Sequence, residues 1–307
     1  MNTARAAIVF PGQGTQSPGM GAPWRDHPAW KIVDQAEGAM GEPLAHLLLD
    51  ADADELARTR NSQLSVLLTS LVAWEALRPL VDAPVAFGGH SLGQVTALIA
   101  SGALPLEDGV RFAARRAELT QQCADATPGR MVALLGATLE QAEAACAAAP
   151  DACWIANDNS DGQVVVAGTP EGVELASTRA KELGVKRATP LKVGGAFHTP
   201  LMQPAADGLT EVLASVDFAE PVAPVVANDD AALHEGADGW RERSARHVAV
   251  PVRWRPCMLT LASLSPAVFV EVGNGSMLAG LGKRTLPSIA FRNVAVPNDL
   301  QALTRED

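Results

Sequence analysis

The run Gly89-His90-Ser91-Leu92-Gly93 constrains this chain more than any other stretch. It lies between a short strand-like segment at 84–88 and an apolar helical run at 95–103. A G-x-S-x-G in that setting reads as a nucleophile elbow. The glycines permit a sharp turn and a close approach of backbone. The serine hydroxyl is then presented at the N-terminus of the helix. The amide of Leu92, one residue past the serine, can donate to a developing oxyanion. Strand, turn and helix in that order point to an α/β body.

The rest of the chain agrees. The apolar run Ala6-Ala7-Ile8-Val9-Phe10 stops at Pro11-Gly12-Gln13-Gly14, which predicts a buried strand and a tight loop. Helical patterns occupy 29–40, 63–80 and 106–123, the last carrying Arg111, Arg115 and Arg116. The middle reads strand 131–136, helix 139–149, strands 154–157 and 163–168, helix 171–183 and strand 185–193. That βαββαβ order is the split pattern of a ferredoxin-like module. Its flanks, Thr127-Pro128-Gly129 and Gly194-Gly195, are rich in turn residues. We therefore expect a small subdomain at 127–195 inserted into a body formed by 1–126 and 196–307. A helix at 201–216 and strands at 222–226 and 267–272 complete the body.

Composition removes several functions. A net charge of −11 argues against nucleic-acid binding, which needs a basic face to neutralise phosphates. The four cysteines, at 123, 146, 153 and 257, form no CxxC and no His/Cys metal spacing, so reduced thiols and no metal are expected. The first residues lack the apolar core of a signal peptide, and no apolar run reaches 18 residues. The expectation is a cytoplasmic protein with no membrane partner, and a monomer.

A nucleophilic serine needs a base, and the chain has six histidines. His27 and His46 sit in polar, helix-edge surroundings, and His234 in a loop of Asp, Glu and Gly. His90 adjoins the serine, but neighbours on an elbow point apart. His247 precedes a strand-like run. His198 stands in the turn Gly194-Gly195-Ala196-Phe197-His198-Thr199-Pro200, a setting that suits a functional loop. It is the leading candidate, with His90 and His247 still open.

Several motifs then occur together in order. Phe10-Pro11-Gly12-Gln13-Gly14-Thr15-Gln16 with Gly19-Met20-Gly21, the elbow itself, and Ala196-Phe197-His198-Thr199 are three of them. Leu201-Met202-Gln203-Pro204-Ala205, Pro251-Val252-Arg253-Trp254 and Glu271-Val272-Gly273 follow. Together they resemble the malonyl-CoA:acyl carrier protein transacylases from about residue 6 to 284. The resemblance implies an α/β-hydrolase-like parallel-sheet body carrying the ferredoxin-like insert. It implies Ser91 as nucleophile, His198 as general base, and the amides of Gln13 and Leu92 as the oxyanion hole. It places Arg116 where the family grips the malonyl carboxylate, which a planar guanidinium can hold with two parallel bonds. It implies that a main-chain carbonyl orients the histidine, at a position matched here by His247. Phe197 matches the aromatic that marks a malonyl pocket. The implied substrates are malonyl-CoA and an acyl carrier protein, with coenzyme A entering as a thioester substrate and no cofactor.

The chain departs from that pattern at identifiable points. His247 stands for the usual Gln, Gln94 for Glu, and Asn274 for Pro. Leu64-Ser65 replaces Pro-Ala, and Ala117 and Thr120 replace Gly and Met. Thr120 is expected beside the acyl pocket, where it would loosen malonyl selectivity. A trans-acting polyketide acyltransferase with a different or broader acyl group is the alternative within the class. An α/β-hydrolase-type esterase or thioesterase is the alternative outside it. That fold needs an acidic partner for the histidine, and Asp158 and Asp161 are the only attractive candidates. Finally, an acidic chain that meets an acidic carrier protein needs a local basic face. Arg179, Lys181, Lys186, Arg187 and Lys192 put five positive charges within 14 residues.

Overall fold

The computed structural model describes residues 5–304. Ten strands occur among them: β1 (Ala6–Phe10), β2 (Ala86–Gly89), β3 (Arg130–Leu135), β4 (Cys153–Ser160), β5 (Gln163–Gly168), β6 (Arg187–Pro190), β7 (Val225–Val226), β8 (Leu233–His234), β9 (Val268–Val272) and β10 (Phe291–Val294). They form two sheets. The larger has the order β10-β9-β1-β2-β7-β8. All its pairings are parallel except β7 with β8. Every residue of β1 is buried, as a continuous apolar run in a sheet covered on both faces must be.

The period of two along β1 sorts its side chains between two layers. Ile8 and Phe10 join a cluster with Leu67 and Leu71 of the helix Thr59–Leu77, Val95 of the helix Leu92–Ala100 and Phe112 of the helix Leu106–Ala126. Ala7 and Val9 join the opposite cluster with Trp254 and Leu261 of the helix Trp254–Ser263 and Leu278 of the helix Met277–Thr285. The helix Thr59–Leu77 is buried almost all round, which places it inside the body. None of the described helices is long and apolar enough to cross a membrane.

The smaller sheet has the order β4-β5-β3-β6 with every pairing antiparallel. This is the strand order of a ferredoxin-like module. Its helices, Leu139–Cys146 and Pro170–Glu182, cover one face. Met131, Ala133 and Val165 form a small cluster with Ala196 on the other. A seam of backbone bonds ties this sheet to the body. Val252 N donates to Ala156 O at 2.9 Å, and Asp158 N donates to Val252 O at 2.9 Å. Arg255 adds an ion pair to Asp158 at 3.0 Å. The two ends of the segment meet, since a Cβ on Gly129 would lie 2.6 Å from Ala196 N.

Some elements differ from expectation. The strand expected at 222–226 shortens to two residues, because Pro221 and Pro224 cannot donate to a ladder. That expected at 185–193 shortens to Arg187–Pro190, its start lost because Val185 N donates to Ala180 O of the preceding helix at 3.0 Å. The helices Trp240–Arg246 and Trp254–Ser263 and the strand β10 carried no clear periodic signal.

The elbow lies where β2 ends. Ser91 has φ 53° and ψ −109°, and the helix Leu92–Ala100 starts immediately after it. A Cβ on Gly89 would lie 2.0 Å from the Gly93 carbonyl, and one on Gly93 would lie 2.1 Å from Phe10 O. Both glycines are therefore demanded by contact as well as by the turn. Gly93→Ala should destabilise the protein by at least about 2 kcal/mol, because backbone cannot yield as a side chain can. Urea unfolding checks this; a loss within experimental error would show that the elbow has room to shift.

Candidate active site

The elbow sets Ser91 at the wall of a cavity of about 550 Å³ between the two sheets. Gln13, Arg116, Phe197 and His198 line it from the body, and Met131, Asn157, Asn159 and Val165 from the smaller sheet. The hydroxyl of Ser91 lies 2.7 Å from Nε2 of His198. His198 Nδ1 faces the main-chain carbonyls of His247 at 3.0 Å and Val250 at 3.2 Å. Carbonyl oxygens only accept, so Nδ1 carries the proton and donates. Nε2 is left with its lone pair toward Ser91, the tautomer a general base requires.

The choice among the three open histidines is thus geometric. His90 turns away from the serine, with Nε2 at 2.8 Å from Asn159 Oδ1 on β4. His247 packs its ring 5.3 Å from that of His198 and presents its carbonyl. Only His198 among them reaches the hydroxyl. The acidic partner of a hydrolase triad has no place here. Asp158 is held by Arg255, and Asp161 is 62% exposed at its side chain.

Arg116 is buried beside the nucleophile. Its Nη2 donates to Ser91 Oγ at 3.0 Å and its Nη1 to Gln63 Oε1 at 2.7 Å. Its Nε is buried with no hydrogen-bond partner among the described residues. An arrangement with one donor fixed by a neutral amide and the others turned inward suits a small anion. Burial lowers the guanidinium to about 10, so it stays charged at neutral pH. Burial, and then the charge of Arg116, lower His198 to about 3. Burial likewise lowers His90, and holds His247 well below the ordinary histidine range.

Leu92 opens its helix, where no preceding turn offers its amide a carbonyl. The next two amides are engaged, Gly93 with His90 O and Gln94 with Ser91 O. The side chain of Gln13 lies 3.5 Å from Gln63 Nε2, and its loop runs against the elbow, where a Cβ on Gly12 would lie 2.4 Å from His90 O. Phe197 is half-buried on the wall beside the base.

One expectation is corrected. Thr120 lies outside the cavity lining, and its hydroxyl donates to the carbonyls of Arg116 and Ala117 on its own helix at 2.8 and 3.1 Å. A threonine in a helix readily bonds back in this way. The five basic residues also divide. Arg179 is paired with Glu182 at 2.8 Å, Lys192 lines the cavity, and Lys181, Lys186 and Arg187 are exposed. The residues missed from the sequence are amides: Gln63, which steadies Arg116, and Asn228, which accepts from Ser91 N at 2.9 Å.

Fold and site describe an enzyme that holds an acyl group on a serine, and the chain matches the acyl transferase domain family over residues 7–302. The Bacillus subtilis (strain 168) malonyl CoA-acyl carrier protein transacylase is 37% identical over 303 residues, covering 97% of this chain and 96% of that protein. Its Escherichia coli (strain K12) counterpart is 34% identical, covering 96% and 97%. The crystal structure of an acyl-carrier-protein S-malonyltransferase from Burkholderia pseudomallei 1710b superposes with a TM-score of 0.93 at 37% identity, over 97% of this chain and 99% of that one. A malonyl-transacylase solved in complex with a type II PKS acyl-carrier protein superposes with a TM-score of 0.94 at 32% identity, over 99% and 100%. The chain belongs to the malonyl-CoA:acyl carrier protein transacylase family.

The histidines predict an acid limit to stability. His90, His198 and His247 all bind a proton more weakly folded than unfolded. Above the unfolded value of about 6.5 they add no pH dependence. Below it the unfolded chain takes up protons that the folded one refuses, so stability falls as pH falls. The slope should reach about 1.4 kcal/mol per pH unit for each histidine. Urea midpoints from pH 7 to 4 check this, and His247→Gln should make the slope shallower. A slope identical in that variant would remove His247 from the account.

Proposed function

We propose that the chain is a cytoplasmic enzyme that moves a malonyl group from coenzyme A to the phosphopantetheine thiol of an acyl carrier protein through a malonyl ester of Ser91. The observation that carries this reading is the position of Ser91 Oγ, 2.7 Å from a lone pair on His198 and 3.0 Å from the Arg116 guanidinium. Arg116 then takes the free carboxylate of the malonyl group as it enters. His198 removes the Ser91 proton as Oγ attacks the thioester carbonyl. The amides of Leu92 and Gln13 receive the oxyanion, each worth about 3 kcal/mol in sites of this kind. The carbon–sulfur bond breaks, and the proton on His198 goes to the departing coenzyme A thiolate. The carrier's thiol repeats these steps in reverse, giving its proton to His198 as it attacks the ester. Ser91 recovers the proton as it leaves.

Residues 127–195 act in this reading as a subdomain that closes the cavity over the acyl chain carrier. Its exposed Lys181, Lys186 and Arg187 offer a basic face to an acidic carrier, and Lys192 marks where that face meets the cavity. Arg179 contributes less, because Glu182 already neutralises it.

Ser91→Ala should form no acyl-enzyme with malonyl-CoA, as read by intact mass; a stable malonyl adduct on that variant would move the nucleophile elsewhere. Arg116→Ala should cost malonyl transfer about 2–4 kcal/mol while sparing acetyl transfer, since only malonyl brings a second carboxylate. Equal losses for the two acyl groups would assign Arg116 to the fold. Reversal of Lys181, Lys186 and Arg187 to Glu should slow the carrier half-reaction and leave acylation by malonyl-CoA largely intact. Stopped-flow rates for the two halves separate these effects, and unchanged carrier kinetics would place the docking face elsewhere.

A further inference from the structure

Asn228 follows β7 and is fully buried. Its side chain touches the elbow twice. Oδ1 accepts from Ser91 N at 2.9 Å, and Nδ2 donates to Gly89 O at 2.9 Å. A backbone amide only donates and a carbonyl only accepts, so these partners fix which end of the carboxamide is which. The residue is itself held from both sides. Its backbone amide donates to Gln94 Oε1 at 2.7 Å, and its carbonyl accepts from Arg253 N at 2.9 Å.

Two consequences follow for the nucleophile. A serine at φ 53° and ψ −109° carries strain of about 1–3 kcal/mol and persists only where its surroundings over-determine it. The Asn228 carboxamide spans the strained residue, bonding the carbonyl two residues before it and its own amide. The same bond engages the Ser91 amide, which would otherwise stand beside the Leu92 amide as a second donor at the elbow. The oxyanion must then find its second donor on the neighbouring Gln13 loop, where a Cβ on Gly12 would lie 2.4 Å from the His90 carbonyl. Gln94 extends the contact, because its Nε2 lies 3.5 Å from His247 Nδ1 and the His247 carbonyl holds His198.

We propose that Asn228 is a positioning residue for acyl transfer, its carboxamide holding Ser91 in the attacking geometry and withdrawing the Ser91 amide from the oxyanion site. The proposal rests on Ser91 being the nucleophile.

Asn228→Asp gives a readout that a packing role does not. A protonated carboxyl reproduces both bonds, donating to Gly89 O and accepting from Ser91 N. An ionised one loses the donor and faces a carbonyl. The groups around the position are Cys257, Arg253, Asp229 and Asp230, with Arg243 paired to Asp229 and His247 beyond Gln94. Burial would raise the pKa of an aspartate here, the carboxylates of Asp229 and Asp230 being already paired with Arg243 and Arg246. The experiment measures kcat and KM for acylation by malonyl-CoA from pH 5 to 9, as ratios to the natural protein, for Asn228→Asp and Asn228→Ala. The Asp variant should match the natural kcat in acid and lose about a hundredfold as pH rises, with KM changed less than about twofold. The Ala variant should show the loss at every pH. A kcat ratio for the Asp variant that is flat with pH, or a loss confined to KM, overturns the proposal. If Asn228→Ala is recovered unfolded, the Asp ratio alone decides. Ser91→Ala run alongside separates the two readings. An adduct on that variant overturns the nucleophile and this proposal together. A dead Ser91→Ala beside natural behaviour at both Asn228 variants overturns positioning alone.

Discussion

A serine backbone at φ 53° and ψ −109° does not hold itself, and the architecture can be followed outward from what holds it. Gly89 and Gly93 let the turn close against the end of β1. The parallel sheet fixes β1 and β2 in register, so that Phe10 and Gly89 lie side by side. The helix Leu92–Ala100 is buried against the layer led by the helix Thr59–Leu77, which prevents the elbow from relaxing upward. Asn228 arrives from the next strand of the same sheet and fastens both sides of the turn.

The second constraint is electrical. A buried guanidinium stands beside a buried imidazole, and among the described residues no carboxylate figures among the influences on the charge of either. The base is steadied by two carbonyls, whose dipoles orient it without adding a charge. The cation is steadied by the neutral Gln63. A fixed acid within reach of either would have paired with Arg116 and occupied the site. Amides in its place leave the positive charge unsatisfied until an anion enters from outside.

Much of this was legible in the sequence, and the limits have physical causes. The elbow could be read because its parts are contiguous: strand, glycine, serine, glycine, helix. The βαββαβ order could be read because each element has its own period. His198 could not be separated from His90 and His247 on residues alone, because the choice is made by direction. Asn228 was missed because its partner lies 137 residues away and a lone asparagine in a loop has no pattern. Thr120 was misplaced for the opposite reason. It does share a helix face with Arg116 one turn earlier, but its hydroxyl is satisfied by the Arg116 carbonyl and turns from the cavity. The short β7 was overextended because hydrophobicity was visible while the effect of Pro221 and Pro224 on the ladder was discounted.

The proximity of Arg116 to His198 has a further consequence. The charge of Arg116 is, after burial, the main influence that weakens His198 as a base. An acyl group that brings its own carboxylate to Arg116 cancels that influence as it binds. The imidazole becomes more basic at the moment a thiol or hydroxyl proton must be taken. An acyl group without a carboxylate leaves the base as weak as before, and water, a far poorer acid than a thiol, gains little from it. Under the proposed mechanism the site would discriminate in reactivity as well as in fit. In the proposed reaction the substrate's own anion arms the base, and an uncharged competitor that happened to fit would occupy a site that stays at rest.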